Sequence, residues 1–351
     1  MFFGAVQLGI MAACVVLFVP MGMAGWHLSR NKVLFFSGAL FITLAVCIHL
    51  IPYFPSMFPP VLLQQEQQQQ DPTSCISLLN EVTYFPNSHG FSWNWETNSG
   101  SHDCDFQKLG RPDVSDLLNG SWVVVAGDSQ ARLFVVSLLD LVLGSDEMES
   151  IQDDLFKRHS DYHIVVKKIG LKLDFLWAPY ATNLTDIIIG FKRNKIYPDV
   201  LVMGSGLWHM LHFTNYSDYG VSLGLLRDSL VPLLPVSPEF NAAGPDMGSD
   251  PIRALHLFWL GMPTLINRML NTEEKRVKMT HEMSNAYDQE LHKSKILRQD
   301  GGPFLLLNVA MLSNKCGVDC SLDGMHYNEA VYEASVHVML NALLIESHQK
   351  L

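Results

Sequence analysis

No charged side chain occurs in the first 29 residues, and only Arg30 and Lys32 carry charge before residue 52. Two apolar runs, 2–19 and 33–51, each approach the roughly 20 residues that a helix needs to cross a bilayer core. The segment between them, 26–32, holds both cations. Positive loops stay cytosolic, so the pattern predicts a transmembrane hairpin over 1–51 with both outer ends on the far side. The rest of the chain then lies in a lumen. A cleaved signal peptide ending at Gly22-Met23-Ala24 is the competing reading. It lacks a basic start, its apolar stretch is longer than such peptides carry, and it would leave the remainder cytosolic. Cys14 and Cys47 fall inside the apolar runs and read as packing residues.

A tether follows over 52–73. It contains Pro52, Pro55, Pro59, Pro60 and Pro72 and the Gln-rich run 64–70, a composition unable to bury a core. All 35 acidic residues lie beyond position 51, and the chain has a formal net charge of −11. Such a balance argues against nucleic acid as a partner, because a phosphate backbone calls for a basic surface. The 300 residues beyond position 51 are enough for one large core or two modest ones, and 74–351 reads as one domain.

Three sequons begin at Asn119, Asn183 and Asn215, as expected of a lumenal glycoprotein. Cys75, Cys104, Cys316 and Cys320 form an even set past the tether, with three possible pairings. An oxidising compartment would make them disulfides. A metal site built from Cys316, Cys320 and His326 is the alternative, but no second ligand pair stands nearby at zinc spacing. No metal or other cofactor is expected.

Within 74–351, β-branched and apolar runs predict strands at 122–126, 171–177, 200–203, 256–260 and 304–309. Helical spacing predicts helices at 133–143, ending at Gly144, at 223–234, at 272–294, and at 328–346 with Asn328 as N-cap. Strands alternating with helices imply an α/β domain with a parallel sheet covered on both faces. Ligands in such sheets sit at the carboxyl ends of the strands.

The first predicted strand runs into Gly127-Asp128-Ser129. A hydroxyl on a tight turn at a helix start faces free backbone N–H groups and the positive helix end. The plainer reading is that Asp128 or Ser129 only caps the helix. This is not a Gly-x-Ser-x-Gly elbow, since Ala131 stands where the second glycine would be. Late in the chain, Asp323-Gly324-Met325-His326 places a carboxylate three residues before a histidine. A carboxylate so near can accept from one ring nitrogen and leave the other facing a hydroxyl.

An early Gly-Asp-Ser after a strand, with a late Asp-x-x-His before the last helix, resembles the GDSL/SGNH esterase superfamily. The forms Gly127-Asp128-Ser129-Gln130-Ala131-Arg132 and Asp323-Gly324-Met325-His326-Tyr327 are closer to its PC-esterase branch. That branch includes the plant trichome-birefringence-like polysaccharide O-acetyltransferases. The resemblance implies a flavodoxin-like, three-layer α/β/α lumenal domain behind the N-terminal transmembrane helices. It also implies a Golgi membrane location and work in wall polysaccharide O-acetylation, with acetylesterase side activity. Carried over by motif, Ser129 is the nucleophile, His326 the base and acid, Asp323 the orienting carboxylate, and Asp128 shapes the turn. Arg132 takes the place of the arginine that follows Gly-Asp-Ser. The superfamily's oxyanion asparagine is absent; here the segment reads Gly204-Ser205-Gly206-Leu207-Trp208-His209. The expected oxyanion donors are the Ser129 N–H, a Gly204 or Gly206 N–H, and Arg132. His209 reads first as a core histidine, and Trp208 as packing rather than as a sugar platform.

The expected partners are an acetyl donor, a wall polysaccharide or small carrier as acceptor, the membrane, and a multi-span protein delivering acetyl groups. Two spans without a buried ionisable residue argue against the chain itself carrying acetyl across. A non-catalytic scaffold or glycan-binding subunit is the rival function. The hairpin predicts that 74–351 resists protease added to sealed vesicles; digestion without detergent would overturn that topology.

Overall fold

The computed structural model describes residues 75–88, 90–96, 104–230 and 255–348. These fall within one compact unit, Thr73–Leu351. The expected membrane hairpin, the tether and residues 231–234 of a predicted helix lie outside the described residues. Among those described, no helix is long and apolar enough to cross a membrane.

Six strands form the central sheet: β3 (Trp122–Gly127), β4 (Tyr162–Val166), β5 (Leu171–Trp177), β6 (Val200–Met203), β7 (His256–Leu260) and β8 (Leu305–Leu307). Their spatial order is β4-β5-β3-β6-β7-β8. All pairings are parallel except β4 with β5, which is antiparallel. The parallel strands thus follow the doubly wound order, reversing direction between β3 and β6. A separate antiparallel hairpin, β1 (Val82–Asn87) with β2 (Gly90–Trp95), precedes them. Helices alternate with the strands because the apolar runs alternate with segments of 3.6-residue spacing.

Strand side chains point to opposite faces with period two. Val123, Val125, Val200, Val202, Phe258 and Leu260 enter one core, with Phe134 and Leu138 of the helix Ser129–Leu143 and Val331 and Val338 of Glu329–His348. Val124, Ala126, Leu201, Met203, Leu257 and Trp259 enter the other, against Ala181–Asn194, Tyr216–Leu230 and His281–Lys293. Both sheet faces are therefore buried, as near-continuous apolar strands require.

Both sheet edges are managed. β4 closes one side. On the other, Asn80 Nδ2 donates to Leu306 O at 3.2 Å, and Asn308 N–H donates to Asn80 Oδ1 at 2.9 Å. The β1–β2 hairpin is held by Lys315, whose Nζ lies 2.6 Å from Glu81 and 2.7 Å from Glu96. Trp93 and Trp95 are buried on one face of β2, with Asn94 exposed between them.

Several expectations are corrected. The strand foreseen at 304–309 is only Leu305–Leu307, because Asn308 accepts from Met311 N–H at 3.0 Å and starts the helix Val309–Cys316. The helix foreseen over 272–294 is two, Glu273–Lys278 and His281–Lys293, each capped by a threonine, Thr272 and Thr280. Asn328 does not cap the last helix with its side chain; its Oδ1 is buried without a partner. The helix foreseen from 223 begins at Tyr216.

Cys75 pairs with Cys104, and Cys316 with Cys320. The second pairing occupies both sulfurs that a metal site at His326 would have used. Asn119 and Asn215 are exposed; Asn183 is half-buried in the first turn of its helix, accepting from Tyr180 N–H at 3.3 Å. Phe134 is fully buried where the Ser129–Leu143 helix meets the sheet. Phe134→Ala should cost about 3–5 kcal/mol, measured as a shift in the urea midpoint at unchanged slope.

Candidate active site

β3 delivers Gly127 to the carboxyl edge of the sheet at the reversal point. A Cβ on Gly127 would lie 2.7 Å from Gly204 O and 2.8 Å from Ala131 Cβ, so only glycine lets the turn pack there. Asp128 is the N-cap of the next helix; its Oδ1 accepts from Gln130 N–H at 2.9 Å. Ser129 is the first helical residue, so its own N–H has no intrahelical acceptor.

The second half comes from a loop between the 3-10 turn Val318–Cys320 and the last helix. Asp323 Oδ1 accepts from the N–H groups of Met325 (3.1 Å) and His326 (2.8 Å). Gly324 has φ of +88°, and a Cβ there would lie 2.6 Å from Ile266 O. The loop therefore folds back tightly enough to set Asp323 Oδ2 2.8 Å from His326 Nδ1. His326 Nε2 lies 2.8 Å from Ser129 Oγ, across 197 positions of sequence. This is a continuous hydroxyl–imidazole–carboxylate chain, able to deprotonate the hydroxyl.

Burial pushes the Asp323 carboxyl up, but hydrogen bonds from the His326 ring, His326 N–H and Met325 N–H outweigh it and hold the pKa at about 2. Asp323 thus stays ionised beside the imidazole. Burial acts unopposed enough on Asp128 to raise it to about 6, despite the Gln130 N–H and the nearby His326.

Two expected oxyanion donors are corrected. Gly204 N–H donates to Ala126 O at 3.1 Å and is spent on the sheet. A Cβ on Gly204 would lie 2.7 Å from Leu260 O, so this glycine serves packing. Arg132 is buried, but its NH1 and NH2 donate to Lys157 O (2.6 Å) and Ser160 O (3.2 Å). Its Nε is buried without a partner. The Gly206 N–H has no acceptor among the described residues, and φ of +138° at Gly206 suits glycine. His209 is a core residue, with Nδ1 2.8 Å from the Tyr287 hydroxyl.

Sequence reasoning missed two features. Gln130, buried, donates from Nε2 to Met325 O at 2.9 Å and accepts from the Tyr332 hydroxyl at 2.5 Å. It ties the Ser129 turn to the His326 loop. The second is a cavity of about 390 Å³ at Ser129 and His326, walled by Leu133, Phe156, Trp177, Trp208 and Leu322. Trp208 thus faces the cavity as well as packing edge-to-face on Trp177 at 5.4 Å. The apolar Leu322, so exposed in the loop beside Asp323, was the one legible signal.

No family model matches the chain. Protein ALTERED XYLOGLUCAN 9 of Arabidopsis thaliana is 54% identical over 369 residues, covering 99% of this chain and 100% of that protein. The chain belongs to that protein's family, within the trichome-birefringence-like branch. Among solved structures, an acetylxylan esterase from Geobacillus stearothermophilus matches at 11% identity and a TM-score of 0.34, over 65% of this chain and 95% of that one. An alpha/beta hydrolase enzyme from the metagenome of Lake Arreo, Spain, matches at 14% identity and a TM-score of 0.35, over 64% and 95%. Both likenesses are remote.

The Asp128 carboxyl gives this trichome-birefringence-like chain a pH signature. Its pKa is 3.8 unfolded and about 6 folded, so folding takes up a proton in that window. Its contribution to stability is full below pH 3.8 and is lost as pH rises through about 6. Asp323 acts oppositely: its contribution is full above 3.8 and is lost as pH falls toward about 2. Asp128→Asn keeps an acceptor for Gln130 N–H and removes the first loss. It should be more stable than the parent above pH 6, by up to about 3 kcal/mol, in urea titrations across pH.

Proposed function

We propose that the protein performs Ser-His-Asp acyl transfer in the O-acetylation of plant wall polysaccharides, including xyloglucan and other hemicelluloses. The observation that carries this is the unbroken Ser129–His326–Asp323 chain, with 2.8 Å at each link, opening on a cavity. The relationship to Protein ALTERED XYLOGLUCAN 9 supports the polysaccharide context.

In the first half-reaction, Ser129 Oγ attacks the acetyl carbonyl carbon while its proton passes to His326 Nε2. Asp323 holds the Nδ1–H tautomer and offsets the imidazolium charge. The N–H groups of Ser129 and Gly206 are the donors free to meet the developing oxyanion. The leaving group departs with the proton from Nε2, and acetyl-Ser129 results. In the second half-reaction, His326 Nε2 takes the proton of an acceptor hydroxyl, whose oxygen bonds the acetyl carbon as the Ser129 Oγ–carbon bond breaks, and the proton passes to Ser129 Oγ. A sugar hydroxyl gives transfer; water gives the esterase side reaction.

The setting we propose is the Golgi lumen. Residues 1–51 anchor the chain as a hairpin, 52–73 act as a tether, and 74–351 form the catalytic domain of SGNH type. A multi-span membrane protein supplies acetyl groups to it. Sugars on Asn119 and Asn215 would project from exposed turns.

A fluorophosphonate probe should label the wild-type chain at Ser129 and spare Ser129→Ala. Ser129→Ala and His326→Ala should each lower turnover of an activated acetyl ester by about 10⁶. A folded wild-type sample that takes no label would replace this reading with the scaffold.

A further inference from the structure

The carboxyl edge of the sheet carries a second crevice, beyond β7 and β8. It holds about 490 Å³ and shares no lining residue with the Ser129 cavity. Open α/β sheets place ligands outside the carboxyl ends of their strands, and small-molecule sites run to about 300–1,000 Å³. The helix His281–Lys293 lines the crevice with Ser284, Asn285 and Asp288, and the helix Val309–Cys316 lines it with Met311 and Asn314. The segment 261–265 that leaves β7 also lines it, as does Ser205.

The hydrogen-bonding groups of this crevice are in large part unspent. Ser205 is 5% exposed, and its Oγ is buried without a partner among the described residues. A hydroxyl held out of water costs free energy until something pairs with it. Asn285 gives Nδ2 to His281 Nε2 at 3.2 Å and keeps Oδ1 for another donor. Neither the Ser284 hydroxyl nor the Asn314 amide has a hydrogen-bond partner among the described residues. Charge, by contrast, is scarce. Among the described residues, no lysine or arginine lines the crevice. Its histidines are engaged, His281 with Asn285 and His292 with Asp300 at 2.8 Å. Its one carboxylate, Asp288, is exposed and lies 3.9 Å from His292 Nε2. An anion meets no fixed cation here, and an exposed carboxylate holds a cation only weakly. Met262, Pro263, Leu265 and Met311 supply apolar surface alongside the polar groups. Hydroxyls and amides set among C–H surface match the hydroxyl rim and the C–H faces of a sugar ring.

We propose that this crevice binds a neutral saccharide of a few rings, apart from the place where Ser129 reacts. Ser205 Oγ anchors the ligand at depth, and Ser284, Asn285 and Asn314 take its outer hydroxyls. The site requires no step at Ser129, so it goes beyond the acyl-transfer reading and stands or falls separately from it. Thr264 is a poor residue to vary, because its carbonyl accepts from the Tyr327 hydroxyl at 2.6 Å and so supports the histidine loop. Ser205 and Asn285 are the residues to change.

The test locates the ligand directly. Cellotetraose and xylotetraose carrying a diazirine are photolysed with the full-length chain in a sugar-free detergent, and the labelled peptides are mapped by mass spectrometry. Label should fall on peptides from 281–292 or 308–314, and untagged tetrasaccharide should displace it. Tetragalacturonate, similar in size but anionic, should compete about tenfold less well, because its charge stays unpaired in the crevice. Ser205→Ala and Asn285→Ala should each weaken binding about two- to tenfold, the loss of one neutral hydrogen bond. Cooperative thermal unfolding checks that each variant is folded, and Trp208→Ala, at the other cavity, should leave the label in place. The proposal is overturned by label that untagged sugar does not displace, by label confined to peptides of the Ser129 cavity, by equal competition from tetragalacturonate, or by label indifferent to both variants. Label at the crevice with Ser129 silent toward a fluorophosphonate keeps this site and removes acyl transfer; the opposite pair of results does the reverse.

Discussion

The side-chain amide of Gln130 joins three parts of the molecule that sequence keeps far apart. Its N–H reaches the Met325 carbonyl in the histidine loop, and its oxygen accepts from Tyr332 in the last helix. All three groups are buried or nearly so, which makes each bond costly to leave unmade. Asp128 fixes the same turn from the other side by capping the helix. The 2.8 Å contact between Ser129 and His326 is therefore the outcome of two rigid frames locked together, not of two side chains that happen to meet.

The sheet supplies the first frame. Gly127 and Gly204 let the ends of β3 and β6 approach without Cβ atoms between them. This places the turn at the point where the strand order reverses, the crevice where doubly wound folds hold ligands. The second frame is the loop 321–327, pinned by Ile266 N–H to Gly324 O at 2.8 Å and by Asn328 N–H to Cys320 O at 2.8 Å. Electrostatics follow from this packing. The hydrogen bonds to Asp323 keep it charged, and burial raises the Asp128 carboxyl to about 6. Of the two carboxyls, it is Asp323 that bonds the imidazole, at 2.8 Å.

Much of this was legible in residue order. The strands at 200–203 and 256–260 stand where apolar runs put them, because burial on both faces leaves a near-continuous apolar signal, and 171–177 stands where foreseen despite Lys172 and Asp174. Ser129, Asp323 and His326 carried their own local signature of turn residues and spacing. What escaped was set by tertiary partners. β4 is a half-exposed edge strand of five residues, too short for its alternation to stand out in the sequence. Nothing around Gln130 announces a partner 195 residues away. Arg132 looked like an oxyanion donor, but the carbonyls that claim it belong to a turn 25 residues on. The break at Met279 was readable, since Thr272 and Thr280 each precede acidic residues as N-caps do, but the polar composition of 272–294 masked it.

The far margin of the sheet has a consequence of its own. β8 is only three residues long and, among the described residues, has no strand beyond it. An open margin of this kind recruits other chains, and most proteins defend it with charge, proline or a bulge. Here the amide of Asn80 mimics the missing neighbour, taking up Leu306 O and Asn308 N–H as a peptide group would. One asparagine thereby withholds from passing molecules the template on which fibrillar stacking begins, a protection that matters most where copies crowd together.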